Sequence, residues 1–180
     1  MASTSKEAVG ETSNLIGDRG RSSHAPGKWG ALAVTFAGSP GPDDIRGRGG
    51  DDTLSGAGGV DRVRGDWGND SLSGGPGGIL DRRERVEGDG GNDSVSGKGG
   101  ADEVRGGLGD DEMLGGDGAD LIRADDDGID SVNAGPGNDA IEAHDDAGVD
   151  SIACAEGTDT VRFDAGVDVV ADDCESRDPR

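Results

Sequence analysis

The chain has 180 residues, 37 of them glycine, and its 39 acidic side chains outnumber 17 basic ones to leave a net charge of −22. Leu, Ile, Val and Phe make up about a sixth of it, too little for an ordinary core of helices on sheets to offset the entropy of ordering the chain. The charge excludes nucleic acid as a partner, because phosphate binding needs a basic surface, and no apolar run approaches the ~18 residues of a membrane span.

Residues 1–28 are rich in Ser, Gly and charge and read as a flexible tail. Residues 29–37 form the one apolar stretch before the repeats. Leu32, Val34 and Phe36 alternate there, and Phe36 lies nine positions before Ile45, which suits a cap strand in register with the first repeats. The competing reading is a short secretory h-region, with Arg19, Arg21 and Lys28 upstream and an end near Ala37.

From Gly41 the chain repeats a triplet Gly-x-Asp, then one residue, then an apolar one. Thirteen aspartates stand in this frame: Asp43, Asp52, Asp61, Asp70, Asp93, Asp102, Asp111, Asp120, Asp130, Asp139, Asp150, Asp159 and Asp168. Nearly all are nine apart. The exceptions are a 14-residue unit from Gly74 to Glu87, where Glu84 stands in the place of Asp, and spacings of 10 and 11 that bring in Asp130 and Asp150. A low-complexity Gly/Asp segment would not hold such a register, so the period is structural.

Each unit reads as a turn followed by a very short strand. Its single apolar residue points inward between polar neighbours that point out. One unit cannot bury that residue alone; two make an 18-residue coil, and stacked coils bury a continuous ladder. Parallel stacking sets the Asp of one turn about 5 Å from its counterpart in the next coil. Two carboxylates that close repel unless a cation lies between them. Ligation by oxygen alone points to a hard ion, with Ca²⁺ favoured over Mg²⁺ by the flexible ligand set.

The units resemble the RTX, or haemolysin-type, calcium-binding nonapeptide GGxGxDxUx. Gly106-Gly107-Leu108-Gly109-Asp110-Asp111-Glu112-Met113-Leu114 and Gly115-Gly116-Asp117-Gly118-Ala119-Asp120-Leu121-Ile122-Arg123 are the fullest copies. The resemblance implies an all-β, right-handed parallel β-roll with two sheets of short strands and several Ca²⁺ ions between turns n and n+2. Carried onto this chain, it pairs Asp43 with Asp61, Asp52 with Asp70, Asp70 with Asp93, Asp93 with Asp111, Asp102 with Asp120, and Asp120 with Asp139. On this reading residues 38–123 are the calcium-binding roll, 124–171 are degenerate repeats that continue it, and 172–180 are a C-terminal tail.

Three departures from the pattern carry expectations. The second Gly is replaced by Arg48, Ala57, Asp66, Asp89 and Lys98, and the two cations are expected to weaken their sites. Glu84 puts the sites with Asp61 and Asp102 in question. After residue 123 the leading Gly becomes Ala124, Ala134, Ala143, Cys154 and Phe163, so those loops are expected to bind calcium weakly or not at all.

The 14-residue unit is one half-coil with five extra residues or two half-coils lacking four. The outward strand positions discriminate. Alternate units carry Asp44/Arg46, Arg62/Arg64, Arg85/Glu87, Glu103/Arg105 and Leu121/Arg123, while the others carry Thr53/Ser55, Ser71/Ser73 and Ser94/Ser96. That parity survives only if the unit is a single half-coil bulged around Ile79–Arg83, giving one Arg-lined face and one Ser/Thr face. The Arg face either offsets the acidic loops or receives a polyanionic, cell-surface partner.

Cys154 and Cys174 are about one coil apart. A bridge between them would staple the last coil to its neighbour; the alternative is two free thiols. Cysteine pairs near the C-terminus also resemble those of secreted actinobacterial calcium-repeat proteins, which implies an extracellular, calcium-rich setting. No catalytic constellation is present, and His144-Asp145-Asp146 reads as a solvated loop. The expectation is a monomeric, non-enzymatic module that binds calcium and folds on it outside the cell. The alternatives are an adhesin or the repeat portion of a larger secreted enzyme or toxin.

Overall fold

A computed structural model describes residues 14–16, 33–76, 83–124, 128–144 and 148–179. In chain order the strands are β1 (Asn14–Ile16), β2 (Thr35–Ala37), β3 (Asp44–Gly49), β4 (Thr53–Ser55), β5 (Arg62–Trp67), β6 (Ser71–Gly75), β7 (Arg85–Gly90), β8 (Ser94–Gly99) and β9 (Glu103–Leu108). They continue with β10 (Glu112–Asp117), β11 (Leu121–Arg123), β12 (Ser131–Asn133), β13 (Ala140–Ala143), β14 (Ser151–Ala153), β15 (Thr160–Phe163), β16 (Val169–Val170) and β17 (Ser176–Pro179). The described residues contain no helix, hence none long and apolar enough to cross a membrane.

Odd-numbered strands form one nine-stranded sheet and even-numbered strands one eight-stranded sheet, each in sequence order. All neighbours are parallel, as in β3–β5, where Ile45 stands opposite Val63. The chain therefore winds as a solenoid that visits the two sheets alternately. The nonapeptide explains why. Its glycine-rich half reverses the chain, and its other half supplies one inward apolar side chain with polar neighbours. Ile45, Val63, Val86, Val104, Met113 and Ile122 are fully buried, and they lie in two facing ladders.

Across the 14-residue unit, Val63 pairs with Val86 and Leu72 with Val95. The unit is thus a single half-coil, as the outward residues require. A slip of parity would have left the apolar residues inward but set Ser94 and Ser96 beside Arg62 and Arg64 on the outer face. Of the expected bulge Ile79–Arg83, residues 79–82 lie outside the described residues.

The two outer faces differ as expected in parity, but one differs in chemistry. The eight-stranded sheet exposes Thr53, Ser71, Ser94, Ser131 and Ser151. The other face, expected to be Arg-lined, has glutamates interspersed among its arginines. Arg64 and Arg85 both reach Glu87, Arg123 bridges Glu103 at 2.9 Å and Glu142 at 3.1 Å, and Arg162 reaches Glu142 at 3.3 Å. Burial pushes the Glu87 carboxyl up, but the hydrogen bonds from Arg64 and Arg85 outweigh it and hold the group below its ordinary range. Such rim pairs are each worth at most about 1 kcal/mol; their main effect is to cancel the positive charge of the face.

Strands also occur in both segments that read as tails. β1 lies within 1–28 and places Leu15 opposite Ile45. β17 lies within 172–180 and pairs with β15. The apolar stretch 29–37 supplies β2, with Phe36 opposite Leu54; residues 29–32 lie outside the described residues. At the other end Cys154 and Cys174 form a disulfide, with Cα atoms 5.2 Å apart and a sequence separation of 20.

Candidate metal centre

Each loop between the sheets ends on the aspartate of its unit, and parallel stacking lines these up in two columns, one along each edge of the roll. One column runs Asp52, Asp70, Asp93, Asp111, Asp130, Asp150 and Asp168. The other runs Asp43, Asp61, Glu84, Asp102, Asp120, Asp139 and Asp159.

Within a column one carboxylate oxygen is used by the backbone. The Asp52 amide donates to Asp70 Oδ1 at 2.7 Å, Asp70 to Asp93 at 2.7 Å, and Asp93 to Asp111 at 2.8 Å. The second column repeats this from Asp43 to Asp61 at 2.8 Å and from Asp102 to Asp120 and Asp120 to Asp139, both at 2.8 Å. All six pairs expected from the sequence are therefore neighbours in the structure.

The other oxygen has no such partner. Oδ2 of Asp52, Asp61, Asp70, Asp93, Asp102, Asp111, Asp120 and Asp139 is buried and accepts no hydrogen bond within the protein. The same holds for Oδ2 of Asp159 and both side-chain oxygens of Glu84. An anionic oxygen left in this state is costly unless something positive faces it. The free oxygens point at the leading glycine of their own loop and the carbonyl of the equivalent glycine one coil on. A Cβ added to Gly97 would lie 2.9 Å from Asp102 Oδ2 and 2.6 Å from the Gly115 carbonyl oxygen. The same arrangement recurs at Gly56, with Asp61 and Gly74, and at Gly65, with Asp70 and Gly88. Bare glycine is thus required where two acidic or carbonyl oxygens converge, and this oxygen-only donor set fits a hard divalent cation.

The electrostatics point the same way. Burial raises the carboxyl groups of Asp61, Asp93, Asp102, Asp120 and Asp139 to about 6. It raises Asp70 and Asp111 to about 7, helped by the charges of their column neighbours, Asp93 and Asp52 for the first and Asp130 and Asp93 for the second. Without a cation the columns resist full ionisation at neutral pH; with one between successive coils they can be charged.

The columns are closed at opposite ends. Asp43, expected as a ligand, has its Oδ2 taken by the Ser39 amide at 2.6 Å and the Ser39 hydroxyl at 3.0 Å. It serves as a cap, because Ser39 supplies the hydrogen bonds that its counterparts lack. Asp168 is closed likewise by the Asp164 amide at 2.7 Å. Beyond Asp159 the column is continued by Glu175, which accepts the Asp159 amide at 3.0 Å, while Asp173 accepts the Ala155 amide at 3.0 Å. The disulfide holds this segment in place. No repeat motif marks Glu175, so the triplet pattern does not reveal it.

After residue 123 the cradle changes. Ala124, Ala134, Ala143 and Cys154 are buried in the apolar core, their Cβ atoms standing where earlier units have glycine. The replaced second glycines behave differently. Arg48, Ala57, Asp66, Asp89 and Lys98 keep positive φ, from 73° to 82°, alongside 112° and 113° at the consensus Gly107 and Gly116. The loop shape is thus kept at a steric cost of about 1 kcal/mol per residue.

A parallel solenoid with columns of buried, unpartnered carboxylates facing glycine carbonyls is a calcium-binding β-roll. The sequence matches the family model of the RTX calcium-binding nonapeptide repeat over residues 37–72, 87–122 and 125–147, just over half of the chain. The protein belongs to that family, and its β-roll is accordingly one that binds calcium. Neither a curated protein nor a solved structure matches the chain. Where calcium is bound, Asp52, Asp61, Asp70, Asp93, Asp102, Asp111 and Asp120, with the glycine carbonyls beside them, would hold it. The ion supplies the positive charge that the buried oxygens lack.

Proposed function

We propose that this chain is a non-enzymatic, monomeric module that stays unfolded where calcium is scarce and folds on calcium outside the cell, as a structural or secretion-folding element. The observation that carries the reading is the buried, unpartnered oxygen repeated along both columns. In the calcium-free chain a net charge of −22 opposes compaction. Binding free energy gained only in the folded state is folding free energy. The disulfide supports an oxidising compartment, where millimolar calcium is also available. The Arg/Glu ladder argues against a polyanion site, since Arg64, Arg85, Arg123 and Arg162 are paired with glutamates.

The test is a calcium titration of the reduced and oxidised chain followed by far-UV circular dichroism and size-exclusion chromatography. The expected result is a cooperative gain of β signal and a shift to a compact monomer between micromolar and millimolar calcium. Full β signal in chelator, or a compact dimer, would contradict the proposal. Recovery of the disulfide-bonded chain in the cytosol and not in the medium of the native host would remove the extracellular part.

A further inference from the structure

Glu84 departs from the repeat twice. It stands where every other unit has Asp, and it ends the longest loop, so the sequence alone puts its site in question. The structure shows the backbone of this turn in register all the same. The Arg85 amide donates to the Asp61 carbonyl at 2.9 Å, the Glu103 amide donates to the Glu84 carbonyl at 2.9 Å, and the Glu84 amide reaches Asp102 Oδ1 at 3.2 Å. The leading glycine is in register too. Gly74 sits one coil above Gly56, whose added Cβ would lie 2.7 Å from the Gly74 carbonyl oxygen.

With the main chain fixed, the extra methylene of Glu sends the carboxylate further than Asp reaches. Glu84 is completely buried. Where the aspartates spend one oxygen on an amide of the preceding coil, both Glu84 oxygens are buried and accept no hydrogen bond. Oε2 is aimed into the cleft between Gly74 and Gly97: a Cβ added to Gly74 would collide with it and lie 2.8 Å from the Gly97 carbonyl oxygen. The sequence shows how the cleft survives. Gly74-Gly75-Pro76-Gly77 is an intact GGxG start, and removing residues 78–82 would leave Arg83 and Glu84 in the fifth and sixth positions of a regular nonapeptide. In sequence the insertion falls between the leading glycines of the unit and its carboxylate, and Gly74 and Glu84 are adjacent in space all the same.

We infer that Glu84 is a cation ligand with two oxygens to offer, and that it holds a calcium ion against Gly97 and Asp102 where the repeat pattern suggests a gap. The inference rests on calcium binding by the roll as a whole. Calcium, which accepts bidentate carboxylates, suits such a ligand better than the smaller Mg²⁺.

The experiment counts calcium bound per full-length chain, by native mass spectrometry at saturating calcium, in wild type, Glu84→Gln and Glu84→Asp. Glu84→Gln keeps the volume and removes the charge, and is expected to lose at least one bound ion. Glu84→Asp restores the repeat consensus and is expected to keep the wild-type count. Anomalous scattering from calcium-loaded wild-type crystals provides a reading that needs no variant, with a peak expected between Glu84 and the Gly97 carbonyl. An unchanged count in Glu84→Gln, or no peak at that place while other loops show theirs, overturns the inference and leaves calcium binding elsewhere intact. A wild-type chain that binds no calcium at all overturns the broader reading instead.

Discussion

The Asp70 amide donates a 2.7 Å hydrogen bond to Asp93 Oδ1, across 23 residues of sequence where its neighbours span 18. The contact is the same as in the regular coils, so the five extra residues leave the register of the ladder unchanged. Deleting residues 78–82 should therefore leave the β signal and the calcium-loaded melting temperature unchanged or slightly raised, since it only shortens a loop. Deleting the whole half-coil 74–87 should lower the melting temperature, because it removes Glu87 from Arg64 and exchanges the two sheets for every strand beyond it, mixing the Ser/Thr and Arg faces. Equal tolerance of both deletions, read by circular dichroism, would contradict the assigned register.

The raised carboxyl groups set a pH dependence for the calcium-free protein. Asp61, Asp93, Asp102, Asp120 and Asp139 rise from an ordinary 3.8 to about 6, Asp70 and Asp111 to about 7, and Glu84 from 4.5 to about 8, burial being the first cause in each. Between the ordinary and raised values the folded chain holds more protons than the unfolded one, so stability falls as pH rises. The contribution is complete below the ordinary values and is lost as pH rises through about 6 to 8. In chelator, acidification from pH 8 to 4 should increase β structure. In calcium the dependence reverses, because protons compete for the same oxygens, and apparent affinity should rise with pH over that window. A chelated chain that gains structure as pH rises would refute the assignment.

Arg48 and Lys98 hold φ of 82° and 80°, which favours glycine. Arg48→Gly and Lys98→Gly should each stabilise the calcium-loaded roll by up to about 1 kcal/mol, strain relief being partly offset by a freer unfolded chain. Both should also tighten calcium binding by removing a cation beside a metal loop. Arg48→Ala separates the two effects: it should tighten binding yet keep the strain. The checks are chemical denaturation in saturating calcium and calorimetric titration.

The Cys154–Cys174 bridge ties Asp173 and Glu175 to the amides of the last coil. Its removal in a Cys154→Ser, Cys174→Ser double variant should cost about 3 kcal/mol by loop-closure entropy. Hydrogen exchange should show the loss concentrated in β14 to β17, while the strands from β3 to β9 keep their protection. Uniform loss of protection along the whole roll would show that the staple is not a local device.

The coil period, the two sheets, the parity across the long unit and the column neighbours are all legible in the sequence, because a nine-residue register constrains each of them at once. The chemistry of the Arg face is only partly so: Glu87 and Glu103 stand among the arginines in the same register, but which arginine each glutamate pairs with is set by side-chain conformation once the coils are stacked. Asp43 looks like its fellows because the repeat pattern does not show that Ser39, at the second-glycine position of the same unit, turns its amide and hydroxyl onto the carboxylate. Strands β1 and β17 escape notice for a related reason: each is a few residues long and takes its conformation from the strand it pairs with, so local pattern says little about either. Glu175 stands outside the period altogether and is brought to the column by the disulfide.

Calcium-dependent compaction tests the central claim most directly. A calcium-free chain of this length, if unfolded, should have a radius of gyration of about 45 Å by small-angle scattering. Millimolar calcium should bring it to less than about half that value in one cooperative step, with β signal rising in parallel. A chain equally compact in chelator and in calcium would contradict the claim that the buried carboxylate columns need the ion.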